Sequence, residues 1–269
     1  MKLLEMIKKF NKSLPKYDIT LLSASVSFFI IWAAIPMIYL MFQLIITSRL
    51  IPVIQFLDYI DENVPSFISE YIHDFFESTS ILDGFLLVSF VFLMLWGASM
   101  AFNSIMQTAE IIYHEKKKRN PFITRLISLI ITLGFIIVFI ILIGLSFVTN
   151  DYLRNLLSDL PSILVVYNYI KFLGFPLVIL ILLIFILTFI VPYRTRFRNQ
   201  FYGAIFITLG WYIFSTLFLI YVRDIADYQS KFGPFSSVIA LFIWVFVLSY
   251  ILHLGIIINA SINRKKIQG

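Results

Sequence analysis

Six apolar stretches, each long enough to cross a bilayer, run the length of this 269-residue chain. A hydrocarbon core about 30 Å thick takes roughly 20 mostly apolar residues as a helix. Candidate spans lie near 19–46, 83–112, 123–149, 166–191, 201–222 and 235–261. Backbone groups in lipid must be hydrogen-bonded inside the protein, so apolar runs of this length are expected to fold as helices. The predicted fold is therefore all-α, a polytopic membrane bundle of six transmembrane helices forming one domain over 1–269. Charged residues make up only 13% of the chain against about a quarter in a soluble domain, which leaves no room for a large soluble catalytic domain.

The first apolar stretch is too long for a secretory signal, and no small-residue cleavage pattern follows it, so Ile19 onward is expected to be a retained helix. Orientation follows from Lys and Arg, because cytoplasmic loops retain positive charge during insertion. Lys2, Lys8, Lys9, Lys12 and Lys16 lie in the N-terminal tail, and Lys116, Lys117, Lys118, Arg119 and Arg125 in or beside the second link. Arg194, Arg196 and Arg198 lie in the fourth link, and Arg264, Lys265 and Lys266 at the C-terminus, making 16 of the 21 basic residues. The other five lie in or next to the alternate loops, beside acidic residues such as Asp58, Asp61, Glu62, Glu70 and Asp74. Both termini are expected in the cytoplasm. The net charge of +6 is then a topology signal rather than a nucleic-acid signature, and the basic rim should attract anionic headgroups.

Two segments outside the spans carry helical amphipathic patterns. Leu3, Met6, Ile7 and Phe10 oppose Lys2, Glu5, Lys9 and Lys12, as in a helix lying in the membrane interface; a charged stop-transfer tail is the plainer reading. In the 48–82 loop, Val53, Phe56, Leu57 and Ile60 form one stripe, and Val64, Ile68, Tyr71, Ile72 and Phe75 another, predicting an external cap of two short helices. Pro36 and Pro176 fall inside apolar spans, where discontinuous transporter helices also place prolines.

Polar side chains within the spans are the nearest thing to a site, since lipid tolerates them only with partners. Trp96, Ser99, Asn103, Gln107 and Glu110 fall within an arc of about 80° at about 100° per residue, giving the second span one polar face. Ser23 and Ser27 on the first span, Thr208 and Trp211 on the fifth, and Gly255 and Asn259 on the sixth lie towards the same inner end. Two readings stand: a polar cavity open to the cytoplasm, or interhelical hydrogen bonding with Gly97 and Ala101 as a small-residue packing pair. Glu110 needs a cation, a proton or water, and Arg125 and the Lys116–Arg119 run are candidate partners. His253 in the last span is read either as a bonded core histidine or as a proton carrier.

With no cysteine, thiolate chemistry and disulfides are excluded. His73, His114 and His253 cannot assemble a metal site across the predicted topology, and no phosphate loop, zinc spacing or Gly-x-Ser-x-Gly elbow occurs. No cofactor and no enzymatic activity are expected.

Trp96-Gly-Ala-Ser99, Tyr113 before the basic link and Arg125, Gly203-Ala204 with Trp211, and Gly233, Ser236-Ser237-Val238, Trp244, Leu254-Gly255 and Asn259-Ala260 appear in order along the chain. Together they resemble the YihY/BrkB membrane family over nearly its whole length. Two positions depart: Glu110 stands where the family has Asn, and Ile257 where it has Glu, as though a carboxylate had crossed from one helix to another. The resemblance carries a ribonuclease BN label widely regarded as mistaken, along with virulence, serum-resistance and envelope-lipid-transport associations.

The reading so far is a cytoplasmic-membrane protein that moves an anionic, lipid-like amphiphile past the Ser99–Glu110 face. A non-transporting scaffold or regulator of envelope assembly is the alternative. Membrane lipids are the expected partners, with a homo-oligomer or an envelope protein also open and nucleic acid not.

Overall fold

A computed structural model describes residues 18–48, 84–113, 122–134, 161–192, 195–222 and 236–267, with 54, 57–58, 60–61, 69–70, 72–74 and 137 between them. Every regular element among the described residues is helical. The helices are α1 (Ile19–Ser48), α2 (Gly84–Tyr113), α3 (Phe122–Gly134), α4 (Pro161–Ile190), α5 (Phe201–Ile220) and α6 (Ser236–Ile267), with a 3-10 turn at Phe197–Asn199. Four segments are long and apolar enough to cross a membrane: Ile19–Met37, Gly84–Tyr113, Phe201–Ile220 and Val238–Ile262. Two shorter apolar helices, Phe122–Gly134 and Pro176–Ile190, fall on the third and fourth expected spans.

The boundaries have local causes. Asp18 opens α1, its Oδ1 accepting the Leu21 N–H at 3.2 Å, as an N-cap carboxylate does for an orphan amide of the first turn. Pro161 opens α4, where its missing N–H would have no partner anyway. At the other end α6 runs on to Ile267. Pro36 and Pro176, by contrast, lie inside continuous helices α1 and α4, so they do not create the broken helices that their positions suggested. A proline removes one backbone bond, and a packed helix carries on past it.

The surface is that of a protein solvated by lipid. Large apolar side chains stand exposed on every side of the bundle, among them Leu21, Phe28 and Trp32 on α1, Phe85 and Val88 on α2, Ile181 on α4, and Leu209, Ile213 and Leu217 on α5. A water-soluble monomer does not expose such a belt. Inside, Val26, Ile105, Ala109, Ile112, Leu187, Ala204, Ile207, Ile256 and Ala260 form one core cluster drawn from five helices.

Small residues set how closely the helices approach. α1 lies along α2, where a methyl on Gly97 would come 3.0 Å from Trp32 Cδ1 and 3.1 Å from the Ala33 nitrogen. Gly97→Ala should therefore cost only about 1 kcal/mol, because a few tenths of an ångström of helix displacement relieve it. Thermal melting in mild detergent should register the loss with α1 still docked. Ser25 Oγ and Ser104 Oγ, 2.9 Å apart, tie the same two helices.

The predicted N-terminal helix and Lys116–Arg119 lie outside the described residues, as does Arg194. In the 48–82 segment, the described residues 54, 57–58, 60–61, 69–70 and 72–74 are helical. Asp61 accepts hydrogen bonds from Ser69 and from His73 Nε2 at 3.1 Å. Those contacts, the Ser69 bond first, lower the Asp61 pKa below its ordinary carboxylate value.

Candidate functional site

The polar residues of the helices sort into those consumed by packing and those left over. Ser23, Ser27, Thr208, Trp211, His253 and Asn259 belong to the first group. Ser23 Oγ is 3.0 Å from His253 Nδ1, which also lies 2.7 Å from the Ser249 carbonyl oxygen. A carbonyl only accepts, so Nδ1 carries the hydrogen, and the buried ring ties α6 to α1. Its Nε2 and the Ser249 hydroxyl have no partner among the described residues. Ser27 and Thr208 donate back to the carbonyls of Ser23 and Ala204, one turn earlier on their own helices. Trp211 Nε1 donates to the Leu248 carbonyl at 2.9 Å.

Asn259 makes the most elaborate of these links. Its Oδ1 accepts the Gly203 N–H at 2.8 Å, and its Nδ2 donates to the Gln200 side-chain oxygen at 2.9 Å and to the Gln200 carbonyl at 3.2 Å. Asn259 on α6 thus caps the first turn of α5, a task that Gln200, the N-cap residue, leaves undone with its own side chain. Gln200 went unnoticed in the sequence because it closes a run of basic residues that reads as solvated; only the docking of α6 buries it.

The stripe on α2 behaves differently. The helix packs through Gly97, Ala101, Ile105, Thr108 and Ile112, which are spaced by three and four residues and buried. The stripe points largely the other way. Ser99 alone is fully buried, its hydroxyl without a partner among the described residues; Asn103 and Glu110 are half-buried, and Trp96 and Gln107 are exposed. Among the described residues Asn103, Gln107 and Glu110 make no hydrogen bond or ion pair.

Arg125, expected on the basic rim or opposite Glu110, takes a third position. Its guanidinium carbon lies 4.3 Å from the centre of the Trp96 ring, and Nη1 lies 2.7 Å from Met100 Sδ. Nη2 is buried with no hydrogen-bond partner among the described residues. A cation on an indole face gains about 0.5–2 kcal/mol, less than the roughly 2.5–3.5 kcal/mol that membrane insertion charges for an arginine at helix centre. The other described members of the rim, Arg196 and Arg198, are exposed at the turn before α5. No three acidic or histidine side chains among the described residues converge to hold a metal.

Known proteins resemble the sequence over most of its length. The sequence signature of the family described as Virulence factor BrkB matches residues 11–269. The chain belongs to this family. A BrkB relative from Bacillus subtilis, the putative ribonuclease-like protein YfkH, is 29% identical over 253 residues, covering 91% of this chain and 90% of that protein. UPF0761 membrane proteins are also similar: VSAL_I2938 of Aliivibrio salmonicida is 27% identical over 73% of this chain, and IL2447 of Idiomarina loihiensis 22% identical over 77%. The match spans 60% of the Aliivibrio protein's length. No solved structure matches significantly. This is a BrkB-type membrane protein with several apolar helices, of a family not known for enzymatic activity. Ile257, where the family resemblance places a glutamate, is buried in the core cluster with Ala109 and Ile112.

Proposed function

We propose that this BrkB protein spans the cytoplasmic membrane six times with both termini inside, and moves an anionic, lipid-like amphiphile along the outer flank of α2. One observation carries the reading: among the described residues Asn103, Gln107 and Glu110 make no hydrogen bond or ion pair, whereas Ser23 with His253, Asn259 with Gly203, and Trp211 with Leu248 bond across helices. Interhelical adhesion would bury such groups against partners. A headgroup path needs them free, with the acyl chains left in the surrounding lipid. The bias of 16 of 21 basic residues to the predicted inner side supports an anionic substrate.

The test is transbilayer movement of fluorescent phosphatidylglycerol in vesicles containing the purified chain. Replacing Asn103 and Gln107 together by leucine removes two or more hydrogen bonds to a passing headgroup, each about 0.5–1.5 kcal/mol. The rate should fall about tenfold, with the melting temperature unchanged. Glu110→Gln should also slow movement if the carboxylate takes up a proton or cation in the cycle; an unaltered rate would remove Glu110 from the path.

The scaffold reading makes the opposite forecast for the leucine variant: lower stability and no transport phenotype. A ribonuclease reading rests on the name of the Bacillus relative alone, and metal-dependent RNA cleavage by the pure protein would be needed to revive it.

A further inference from the structure

Glu110 is the only aspartate or glutamate in the six helices α1 to α6. Among the described helices Arg125 therefore has a single candidate counter-ion, and the two do not pair. They are also far apart along α2. Arg125 touches Trp96 and Met100, so Glu110 lies ten residues beyond the nearer contact, about 15 Å along the axis at 1.5 Å per residue. Trp96 itself is at least about 18 Å from either end of α2 by the same measure. The first turn of α3 thus carries a cation deep into the apolar part of the structure.

Arginine does not lose its proton in proteins, so this charge must be met by something other than deprotonation. The Trp96 ring and the Met100 sulfur hold the guanidinium plane and satisfy one of its nitrogens weakly, while Nη2 has no partner among the described residues. The described side chains that flank it are apolar. Phe122, one turn before Arg125, is 76% exposed, and Leu126 and Trp96 are exposed beside it. A permanent planar cation, oriented, short of an acceptor and flanked by lipid-facing apolar side chains, is complementary to a phosphate or phosphodiester that carries acyl chains.

We infer that Arg125, oriented by Trp96 and Met100, is the binding point for the phosphate group of an amphiphile in the membrane. This deepens the transport reading and rests on it: Arg125 would receive the headgroup at mid-depth, while Asn103, Gln107 and Glu110 line the stretch of α2 below. Free phosphate shares the anion chemistry but would leave Phe122 and Leu126 without a role.

The test uses the full chain in detergent, titrated separately with phosphatidylglycerol, phosphatidylcholine and inorganic phosphate. Bound lipid is read by native mass spectrometry, and Arg125 reactivity by phenylglyoxal footprinting. The wild type should prefer phosphatidylglycerol to phosphatidylcholine by at least tenfold, and only phosphatidylglycerol should shield Arg125. Arg125→Gln should abolish the preference, and Arg125→Lys, which keeps the charge but not the fork, should retain part of it. Full preference in a folded Arg125→Gln variant would overturn the assignment while leaving the transport reading standing. Footprinting needs no variant, so equal shielding by both lipids would overturn the assignment even if Arg125→Gln failed to fold. Shielding by inorganic phosphate alone would replace the amphiphile with the free ion. Absence of any wild-type preference, together with no phosphatidylglycerol movement in vesicles, would remove the transport reading itself.

Discussion

Gly203→Ala should destabilise the protein by about 3 kcal/mol or more, at the top of the range for overpacking a filled site. A methyl on Gly203 would be driven into the Gly255 carbonyl oxygen and the Asn259 amide, both far inside contact distance. The carbonyl is backbone and cannot rotate away, so relief requires α5 and α6 to separate. Separation in turn breaks the hydrogen bond from the Gly203 N–H to Asn259. The crossing is reciprocal: Gly203 receives Asn259, and Gly255 receives Ile207, each pair facing across the two helices. Small residues let membrane helices approach this closely, and packing at that distance replaces the hydrophobic driving force that lipid does not supply. Unfolding by added denaturing detergent should show Gly203→Ala well below Gly97→Ala, whose obstruction is milder. Similar losses in the two variants would mean that α5 and α6 are not in contact at this point.

The comparison of these glycines shows how far the sequence could be read. Apolar run lengths placed the starts of α1, α2, α5 and α6 within one residue, because desolvated backbone allows a run of that kind little but a helix. Run length says nothing about which helix a side chain faces. Gly97 and Ala101 were recognisable as a packing pair from their spacing, whereas Gly203 and Gly255 lie on different helices and acquire meaning only when these cross. Arg125 is the sharper case. Its neighbours in sequence are basic, so it read as part of a rim or as the partner of Glu110. Its contacts with Trp96 and Met100 arise because the start of α3 lies level with the middle of α2 rather than with its end. No periodicity encodes that offset. The stripe on α2 was visible as a set of angles, but whether its members were bonded depended on the direction that α2 turned towards the bundle.

Asn259→Ala should cost about 2–5 kcal/mol, taking three buried contacts at the roughly 0.6–1.7 kcal/mol measured for membrane hydrogen bonds. Asn259 and Gln200 are both fully buried, so no water replaces what is lost. The orientation of the pair is fixed by a chain of donors and acceptors: Gln200 Nε2 donates to Thr195 Oγ1 at 3.4 Å, which turns its oxygen towards Asn259 Nδ2, which in turn leaves Oδ1 for the Gly203 N–H. Asn259→Asp tests that polarity. Aspartate can still accept from Gly203, but it cannot donate to Gln200 and buries a charge, so it should be no better than alanine. Gln200→Ala alone should cost less, about 1 kcal/mol, because Asn259 keeps its bonds to the two backbone groups. In the double variant the side-chain bond between the two residues is already gone, so the losses should fall short of additive by about the strength of that bond. Strict additivity would show that the two amides do not touch, and that the α5 start is capped by something other than α6.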